Sequence, residues 1–223
     1  MQRDGAAMER TCYIFGAGDY GGQTLTAAGL GSGLIIAADG GYARLKQWGI
    51  TPHLAVGDFD SLGRVPEDTE VIRYPVMKDD PDMMLAAQEG LARGCRRFMI
   101  YGGLGGRLDH TLANLHVLAS LAQRGCAAFL LGEDTAVTAV HNGVLTFGSG
   151  QTGTLSLFAW GGQAAGISLS GLLYPLTDGV MTADRPLGLS NEFLGTGARV
   201  SVADGTLIAL WTPGEVSLPL HSN

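Results

Sequence analysis

The chain has 223 residues, of which 46% are hydrophobic and 16% are charged, and its formal net charge is −7. This composition provides for a buried core and excludes an intrinsically disordered chain, which combines low hydrophobicity with high net charge. The sequence contains no basic run longer than pairs such as Arg96-Arg97. We therefore expect no nucleic-acid partner.

The first part of the chain alternates short apolar runs with patterns of helical spacing. Strands are predicted at residues 12–15, 34–38, 54–56, 71–74, 98–101 and 127–131. Helices are predicted at residues 42–48, 82–93 and 110–124. Such alternation predicts a parallel sheet that is covered by helices on both sides.

The pattern changes after about residue 135, where short alternating segments replace the helical spacing. Strands are predicted at residues 154–160, 199–203 and 206–211, with turn signals at Gly148-Ser149-Gly150, Gly161-Gly162, Asp178-Gly179 and Asp204-Gly205. Asp204-Gly205 between two alternating runs predicts a hairpin. The fold class is therefore α/β: a parallel-sheet domain over residues 1–140, followed by an antiparallel β-sandwich domain over 141–223.

The three cysteines, Cys12, Cys95 and Cys126, form neither a CxxC pair nor a Cys/His cluster. This pattern predicts free buried thiols in a reducing cytoplasm rather than disulfides or a zinc site. The polar N-terminus does not have the pattern of a signal peptide. The apolar runs are too short to span a bilayer, so we expect a cytoplasmic protein with no membrane contact.

Acidic side chains follow the predicted parallel strands, at the edge where open α/β sheets bind ligands. If the segment after the third strand is extended, Asp58 and Asp60 point to the same side of it. Two neighbouring carboxylates repel each other unless a proton or cation intervenes, and Mg²⁺ bridging carboxylates and nucleotide phosphates is a common solution. The alternative is a solvated polar turn.

A second acidic segment, Lys78-Asp79-Asp80-Pro81-Asp82, precedes a predicted helix. Pro81 suits the first helical position and Asp80 the N-cap before it. Acids at a helix start also interact favourably with the helix dipole. Because three acids after a lysine exceed what capping requires, we expect a second contribution to the metal site, with Lys78 available to a phosphate.

A glycine-rich loop lies between the fifth predicted strand and the helix after it, at residues 102–106. Such a loop lets backbone N–H groups and the helix N-terminus approach an anion. Arg107 adds a planar donor suited to phosphate oxygens, and Asp109 could bind the metal or orient a hydroxyl. The loop is not a Walker A motif, because no Gly-Lys-Ser/Thr follows.

Taken in order, these motifs resemble the thiamine pyrophosphokinase (thiamine diphosphokinase) family. The resemblance rests on Ala38-Asp39-Gly40-Gly41, Gly57-Asp58-Phe59-Asp60-Ser61, Lys78-Asp79-Asp80-Pro81-Asp82, Gly105-Gly106-Arg107-Leu108-Asp109-His110, Asn114 and Gly188-Leu189-Ser190-Asn191. It implies an α/β nucleotide domain followed by a β-sandwich, in a homodimer. One departure is Pro81, where the family usually has a threonine.

The resemblance also implies the roles of individual residues. Asp58, Asp60 and Asp82 would bind Mg²⁺ and act in catalysis, together with Arg107 and Asp109. The residues implied to bind ATP or thiamine are Asp39, Gly40, Lys78, Asp79, Gly105, Gly106, Asn114, Ser190 and Asn191, the last two on the thiamine side.

The implied reaction transfers pyrophosphate from ATP to the hydroxyl of thiamine, giving thiamine diphosphate and AMP. Either Asp109 or Asp39 would orient or deprotonate that hydroxyl. The residues taken alone also allow two other functions, a metal-dependent phosphohydrolase and a non-catalytic nucleotide sensor.

Overall fold

The computed structural model describes residues 10–63, 65–75, 77, 79–214 and 217–222, which form a mixed α/β fold with a large sheet and few helices. The helices are α1 (Ala27–Leu30), α2 (Gly41–Gln47), α3 (Asp82–Ala92) and α4 (Leu108–Gln123). The strands are β1 (Thr11–Phe15), β2 (Leu34–Ala38), β3 (Leu54–Gly57), β4 (Glu70–Arg73), β5 (Arg97–Tyr101), β6 (Ala127–Leu131), β7 (Ala136–His141), β8 (Val144–Phe147), β9 (Thr154–Ser170), β10 (Leu176–Thr182), β11 (Gly188–Glu192), β12 (Ala198–Ser201), β13 (Asp204–Trp211) and β14 (Leu220–Ser222). None of the helices in the described ranges is long and apolar enough to cross a membrane.

The chain forms two compact units. The first runs to Ala17 and resumes over Thr24–Met99, and the second contains Gly18–Gln23 and Ile100–Asn223. In the first unit, β1, β2, β3 and β4 pair in that order and are all parallel. Every residue of β2 and β3 is buried, which explains why both strands are continuous apolar runs.

The six predicted strands and three predicted helices of the first part are confirmed to within two residues at each end. The predicted cap of α3 is wrong. Pro81 is the N-cap, because its carbonyl oxygen accepts the first helical hydrogen bonds, from the N–H groups of Met84 (2.9 Å) and Leu85 (3.1 Å). The Asp80 carboxylate instead accepts a hydrogen bond from the Gln88 amide, with Nε2 and Oδ2 3.1 Å apart.

The predicted free thiols are confirmed, since Cys12, Cys95 and Cys126 are all free and buried. Cys12 and Cys95 both belong to the first unit. The neighbouring Cys95 thiol, together with burial, raises the pKa of Cys12, so its thiol stays protonated at neutral pH.

In the second unit, the strand β9 is the common partner of four others. Its first half pairs with β11 and β13, and its second half pairs with β10 and β12. All of these pairs are antiparallel, as is the pair of β13 with β7. Helix α4 packs against β6, β7 and β13.

Three of the predicted turns in this unit are wrong. Gly161-Gly162 lies inside β9, which bends there while its backbone stays in the strand. Asp178-Gly179 lies inside β10 at a change of register, where a bulge accommodates the left-handed Asp178. Asp204-Gly205 belongs to β13 and closes no hairpin, because both β12 and β13 pair with β9. The domain boundary at residue 140 and the β-sandwich stay predictions.

Gly41, the first residue of α2, provides a test of how closely that helix approaches β1. A Cβ atom at Gly41 would overlap the carbonyl oxygen of the buried Phe15. We expect Gly41→Ala to lower the free energy of unfolding by about 1–3 kcal/mol, because the helix would have to move. The measurement is urea unfolding followed by circular dichroism.

The matched control is Gly29→Ala in α1, where a Cβ would lie 3.6 Å from the Thr26 hydroxyl oxygen, an ordinary contact. Equal effects of the two substitutions would contradict the packing argument.

Candidate active site

Two acidic residues of the first unit directly follow neighbouring parallel strands. Asp39 follows β2 and Asp58 follows β3, and both are half-buried. The N–H of Asp39 donates to the carbonyl oxygen of Val56 (2.8 Å). A Cβ atom at Gly57 would lie only 3.1 Å from the Asp39 Cα. The ends of β2 and β3 are therefore packed against each other, and the two acids leave the sheet from adjacent positions.

Both turns contain a residue in the left-handed region. The φ angles are 43° at Asp39 and 61° at Phe59. Aspartate tolerates this region, but a bulky residue such as Phe59 adopts it only where surrounding packing enforces it. Phe59 is 2% exposed, so its burial holds the turn that carries Asp58 and Asp60. Gly40, the N-cap of α2, follows Asp39 and accepts a hydrogen bond from the N–H of Ala43 (3.1 Å).

The expectation that Asp58 and Asp60 lie in an extended segment is wrong. The left-handed Phe59 turns the chain between them, and Asp60 begins a short 3₁₀ helix, Asp60–Leu62. The N–H of Asp60 donates to Oδ1 of Asp58 (3.1 Å). One oxygen of Asp58 therefore shapes this turn, and the side chain of Asp60 is exposed.

The second acidic segment lies at the start of α3. Asp82 is the first residue of the helix and is half-buried, whereas Asp79 is exposed. Lys78, which we predict to contact a phosphate, lies outside the described residues. Within the described ranges, no three His, Cys, Asp or Glu side chains form a group that could hold a metal ion. The ligand set Asp58, Asp60 and Asp82 stays a prediction.

The chemistry of these donors nevertheless fits Mg²⁺. All three are carboxylates, and Mg²⁺ prefers oxygen ligands. In nucleotide-dependent enzymes it keeps several waters and is held by one or two carboxylates together with substrate phosphates. Such a site does not require a complete cage of protein ligands.

The glycine-rich loop belongs to the second unit and is paired with a segment from the start of the chain. The N–H of Gly18 donates to the carbonyl oxygen of Gly102 (2.9 Å), and the N–H of Asp19 donates to that of Leu104 (3.3 Å). Gly105 and Gly106 follow with φ angles of 75° and 64°, which glycine adopts at little cost. Both are exposed, so their backbone can be approached from solvent.

The buried Asn114 of α4 anchors this loop. Its amide Nδ2 donates to the carbonyl oxygen of Gly103 (2.7 Å). Asn114 thus fixes the glycine-rich loop onto the helix that follows it. Its predicted role in binding substrate directly stays a prediction.

Arg107 and Asp109 form a two-point ion pair at the start of α4. The distances are 3.2 Å from Nε to Oδ1 and 2.7 Å from an Nη atom to Oδ2, and both side chains are exposed. The Arg107 guanidinium lowers the pKa of Asp109, helped by the N–H of His110. Asp109 is therefore ionised at neutral pH and holds the guanidinium in place.

Ser190 and Asn191 of β11 differ in their surroundings. Asn191 is buried, and its side-chain amide makes two hydrogen bonds with the backbone of Tyr174. Its Nδ2 donates to the Tyr174 carbonyl oxygen (2.8 Å), and its Oδ1 accepts from the Tyr174 N–H (2.9 Å). Ser190 is exposed and has a left-handed φ of 56°. Asn191 therefore shapes the surface on which the Ser190 side chain is presented.

The sequence analysis missed two features of these regions. Asp19 lies beside the glycine-rich loop, because a Cβ atom added at Gly105 would lie 3.0 Å from the Cβ atom of Asp19. The signal for it was the glycine turn at residues 16–18 after the first strand. In the first unit, Asp58 lines a cavity of about 250 Å³ together with Arg73, Tyr74 and Pro75. No sequence motif marked these last three residues.

Comparison with known proteins gives consistent matches along the chain. The family model for the thiamin pyrophosphokinase catalytic domain matches residues 31–130, and the model for the thiamin pyrophosphokinase vitamin B1 binding domain matches residues 145–207. Thiamine pyrophosphokinase from Bacillus subtilis is 27% identical over 184 residues, covering 79% of this chain and 86% of the relative.

Solved structures of thiamin pyrophosphokinases are similar to this chain in fold. A thiamin pyrophosphokinase family protein from Enterococcus faecalis is 27% identical, with a TM-score of 0.75 over 92% of this chain and 100% of that one. The structure of thiamine pyrophosphokinase from Bacillus subtilis shares the fold, with a TM-score of 0.77 at 24% identity over the same shares of the two chains.

Fold and matches together define a transferase, and within that class a kinase. The chain belongs to the thiamin pyrophosphokinase family. The resemblance read from the sequence motifs and the predicted enzyme activity are confirmed. The predicted domain boundary near residue 140 falls between the two matched ranges.

Asn114 provides a test of the loop anchor. We expect Asn114→Ala to lower the free energy of unfolding by about 1–3 kcal/mol, because the carbonyl oxygen of Gly103 would lose its buried partner. Urea unfolding is the measurement, and Gln123→Ala at the exposed end of the same helix is the control. A value for Asn114→Ala equal to that of the control would exclude the anchoring role.

The ion pair makes a prediction about pH. Removing the positive charge in Arg107→Gln should raise the pKa of Asp109 towards the ordinary aspartate value, because Arg107 is its main stabilising partner. The pKa is measured by NMR titration of the labelled carboxyl carbon. An unchanged pKa would mean that the pair does not persist in solution.

Proposed function

We propose that this enzyme transfers the pyrophosphoryl group of ATP to thiamine, using Mg²⁺ and the residues described above. The thiamine hydroxyl oxygen forms a bond to the β-phosphorus of ATP, and the bond between that phosphorus and the α,β-bridging oxygen breaks. The products are thiamine diphosphate and AMP, and the hydroxyl proton passes to a base. The observation that supports this most directly is that both thiamin pyrophosphokinase domain models match in chain order, with Asp39 and Asp58 at adjacent strand ends inside the catalytic range.

In this proposal, Asp58, Asp60 and Asp82 hold Mg²⁺, and Asp79 lies beside them. A bound Mg²⁺ neutralises charge on the transferred phosphates. The buried Phe59 supports the site by fixing the turn between the first two ligands. Asp39 and Gly40 at the end of β2, together with Lys78, complete the ATP-binding residues of the first unit.

The glycine-rich loop is proposed to bind phosphate. The backbone N–H groups of Gly105 and Gly106 and the start of α4 suit an anion. Arg107 adds a planar guanidinium that the Asp109 ion pair already orients. Phosphoryl transfer depends mainly on positioning and on stabilising charge, so an oriented cation is useful to it.

Asp39 is the better candidate for the base that accepts the hydroxyl proton. The Asp109 carboxylate is already engaged in its two-point ion pair with Arg107. Asp109 is therefore assigned to orienting Arg107, and Asp39 to the hydroxyl.

Thiamine is proposed to bind at Ser190, on the surface that Asn191 shapes. Around it, the second unit exposes the large apolar side chains of Leu173, Tyr174, Leu187, Leu189 and Leu194. An exposed apolar patch of this kind is typical of an interface, which supports the homodimer implied by the family resemblance. The three free cysteines support a cytoplasmic location, where thiols remain reduced.

The deciding experiment incubates the purified enzyme with ATP and Mg²⁺, with and without thiamine, and separates the products by chromatography. We expect equal amounts of AMP and thiamine diphosphate, formed only when thiamine is present. Release of inorganic phosphate without AMP would favour a phosphohydrolase. Nucleotide binding without turnover would favour a sensor.

The same assay tests the metal ligands. Asp58→Asn should reduce turnover by about 100-fold or more, because the metal would lose a charged ligand, while the melting temperature stays close to that of the wild type. Glu67→Gln removes an exposed carboxylate elsewhere in the first unit and should leave turnover unchanged. Normal turnover of Asp58→Asn would remove Asp58 from the metal site.

A further inference from the structure

The cavity beside Asp58 lies at the carboxyl ends of β3 and β4. Among the residues that the structure describes, Asp58, Arg73, Tyr74 and Pro75 line it, and these four belong to the first unit. The parallel register places Arg73 opposite Gly57, and the N–H of Tyr74 donates to the carbonyl oxygen of Gly57 (3.0 Å). The cavity is thus fixed by backbone pairing between two strands rather than by loop contacts alone.

The charge of Arg73 is available to a ligand. Within the part of the chain that the structure describes, its exposed guanidinium makes no ion pair and no hydrogen bond. Other cations of the unit are engaged: Arg93 pairs with Glu70 and Glu89, and Lys46 pairs with Asp68. The guanidinium N–H groups of Arg73 can therefore donate hydrogen bonds to a ligand in the cavity.

The cavity is small and open to solvent. Its volume of about 250 Å³ is below the usual range for sites that enclose a drug-sized ligand, about 300–1,000 Å³. It therefore suits one part of a ligand, such as a chain of phosphates, while the rest of the ligand extends out of it. A guanidinium binds phosphate oxygens at two points.

The charge of the two substrates distinguishes between them. Thiamine carries a positive thiazolium ring, which a guanidinium would repel, whereas the phosphates of ATP are anions. Asp58, which also lines the cavity, is a proposed Mg²⁺ ligand, and a bound Mg²⁺ would neutralise phosphate charge there. A cation and a metal ligand facing one small cavity suit a metal-bound polyphosphate.

We propose that Arg73 is a substrate-binding residue that holds the polyphosphate of the donor nucleotide and so makes the site prefer ATP over AMP. The inference rests on the proposed function for the identity of the donor. It also gives a reason for release of the product AMP, which carries fewer phosphate charges for Arg73 to bind.

The test is isothermal titration calorimetry of the full-length protein with ATP, AMP and thiamine, each in the presence of Mg²⁺. In Arg73→Gln, the Kd for ATP should rise at least about tenfold, the Kd for AMP should rise less, and the Kd for thiamine should not change. Arg73→Lys should recover part of the ATP affinity, since it restores the charge without the two-point geometry. Arg199→Gln, which removes an exposed arginine of β12, should bind ATP like the wild type.

An unchanged Kd for ATP in Arg73→Gln would overturn the inference. So would an equal loss of affinity for ATP and AMP, or a loss that Arg199→Gln reproduces. If the wild type binds ATP but forms no thiamine diphosphate, the proposed function fails, and the comparison of Arg73 variants still decides whether this residue binds polyphosphate.

Discussion

The complete burial of β2 and β3 is the constraint on which the first unit depends. A strand buried on both faces carries carboxylates only beyond its ends, because an unpaired buried carboxylate is very costly. In a parallel sheet, the carboxyl ends of neighbouring strands lie at one edge. The same burial that stabilises the sheet therefore gathers Asp39, Asp58 and the cavity of Arg73 and Tyr74 at that edge.

This constraint explains why the first part of the fold could be predicted. A fully buried strand is an uninterrupted apolar run, so β2 and β3 are visible in the sequence without knowledge of their neighbours. The second unit gave weaker signals. Gly161-Gly162 and Asp204-Gly205 have the composition of turns, but whether glycine ends a strand or bends it depends on the partner strand. Gly161-Gly162 lies in β9, whose partners are β10, β11, β12 and β13, and Asp204-Gly205 lies in β13, whose partners are β7 and β9. Apart from the pair of β9 with β10, these pairings join segments that are separated in the chain by other elements.

The candidate site likewise contains some features that the sequence predicted and others that it did not. The acidic and glycine-rich motifs were readable because their residue types and spacing carry the chemistry. The path of the chain between Asp58 and Asp60 was not, since it depends on a buried phenylalanine in a left-handed conformation. Asp19 and Arg73 were missed because distant backbone pairs bring them to their places. Asn114 also holds the backbone of the loop through its amide, a role that chain order alone does not reveal, while its predicted contact with substrate stays a prediction.

The strand β9 has a consequence for how the second unit can be divided. It is 17 residues long, and four strands from later in the chain complete their hydrogen bonding on its two halves. Cutting the protein on either side of the Gly161-Gly162 bend would remove hydrogen-bonded partner strands from both fragments. Neither fragment would keep all of its strand pairs. The unit therefore has to be expressed and engineered as one piece, and we expect permissive sites for insertion in its surface loops rather than at the Gly161-Gly162 bend.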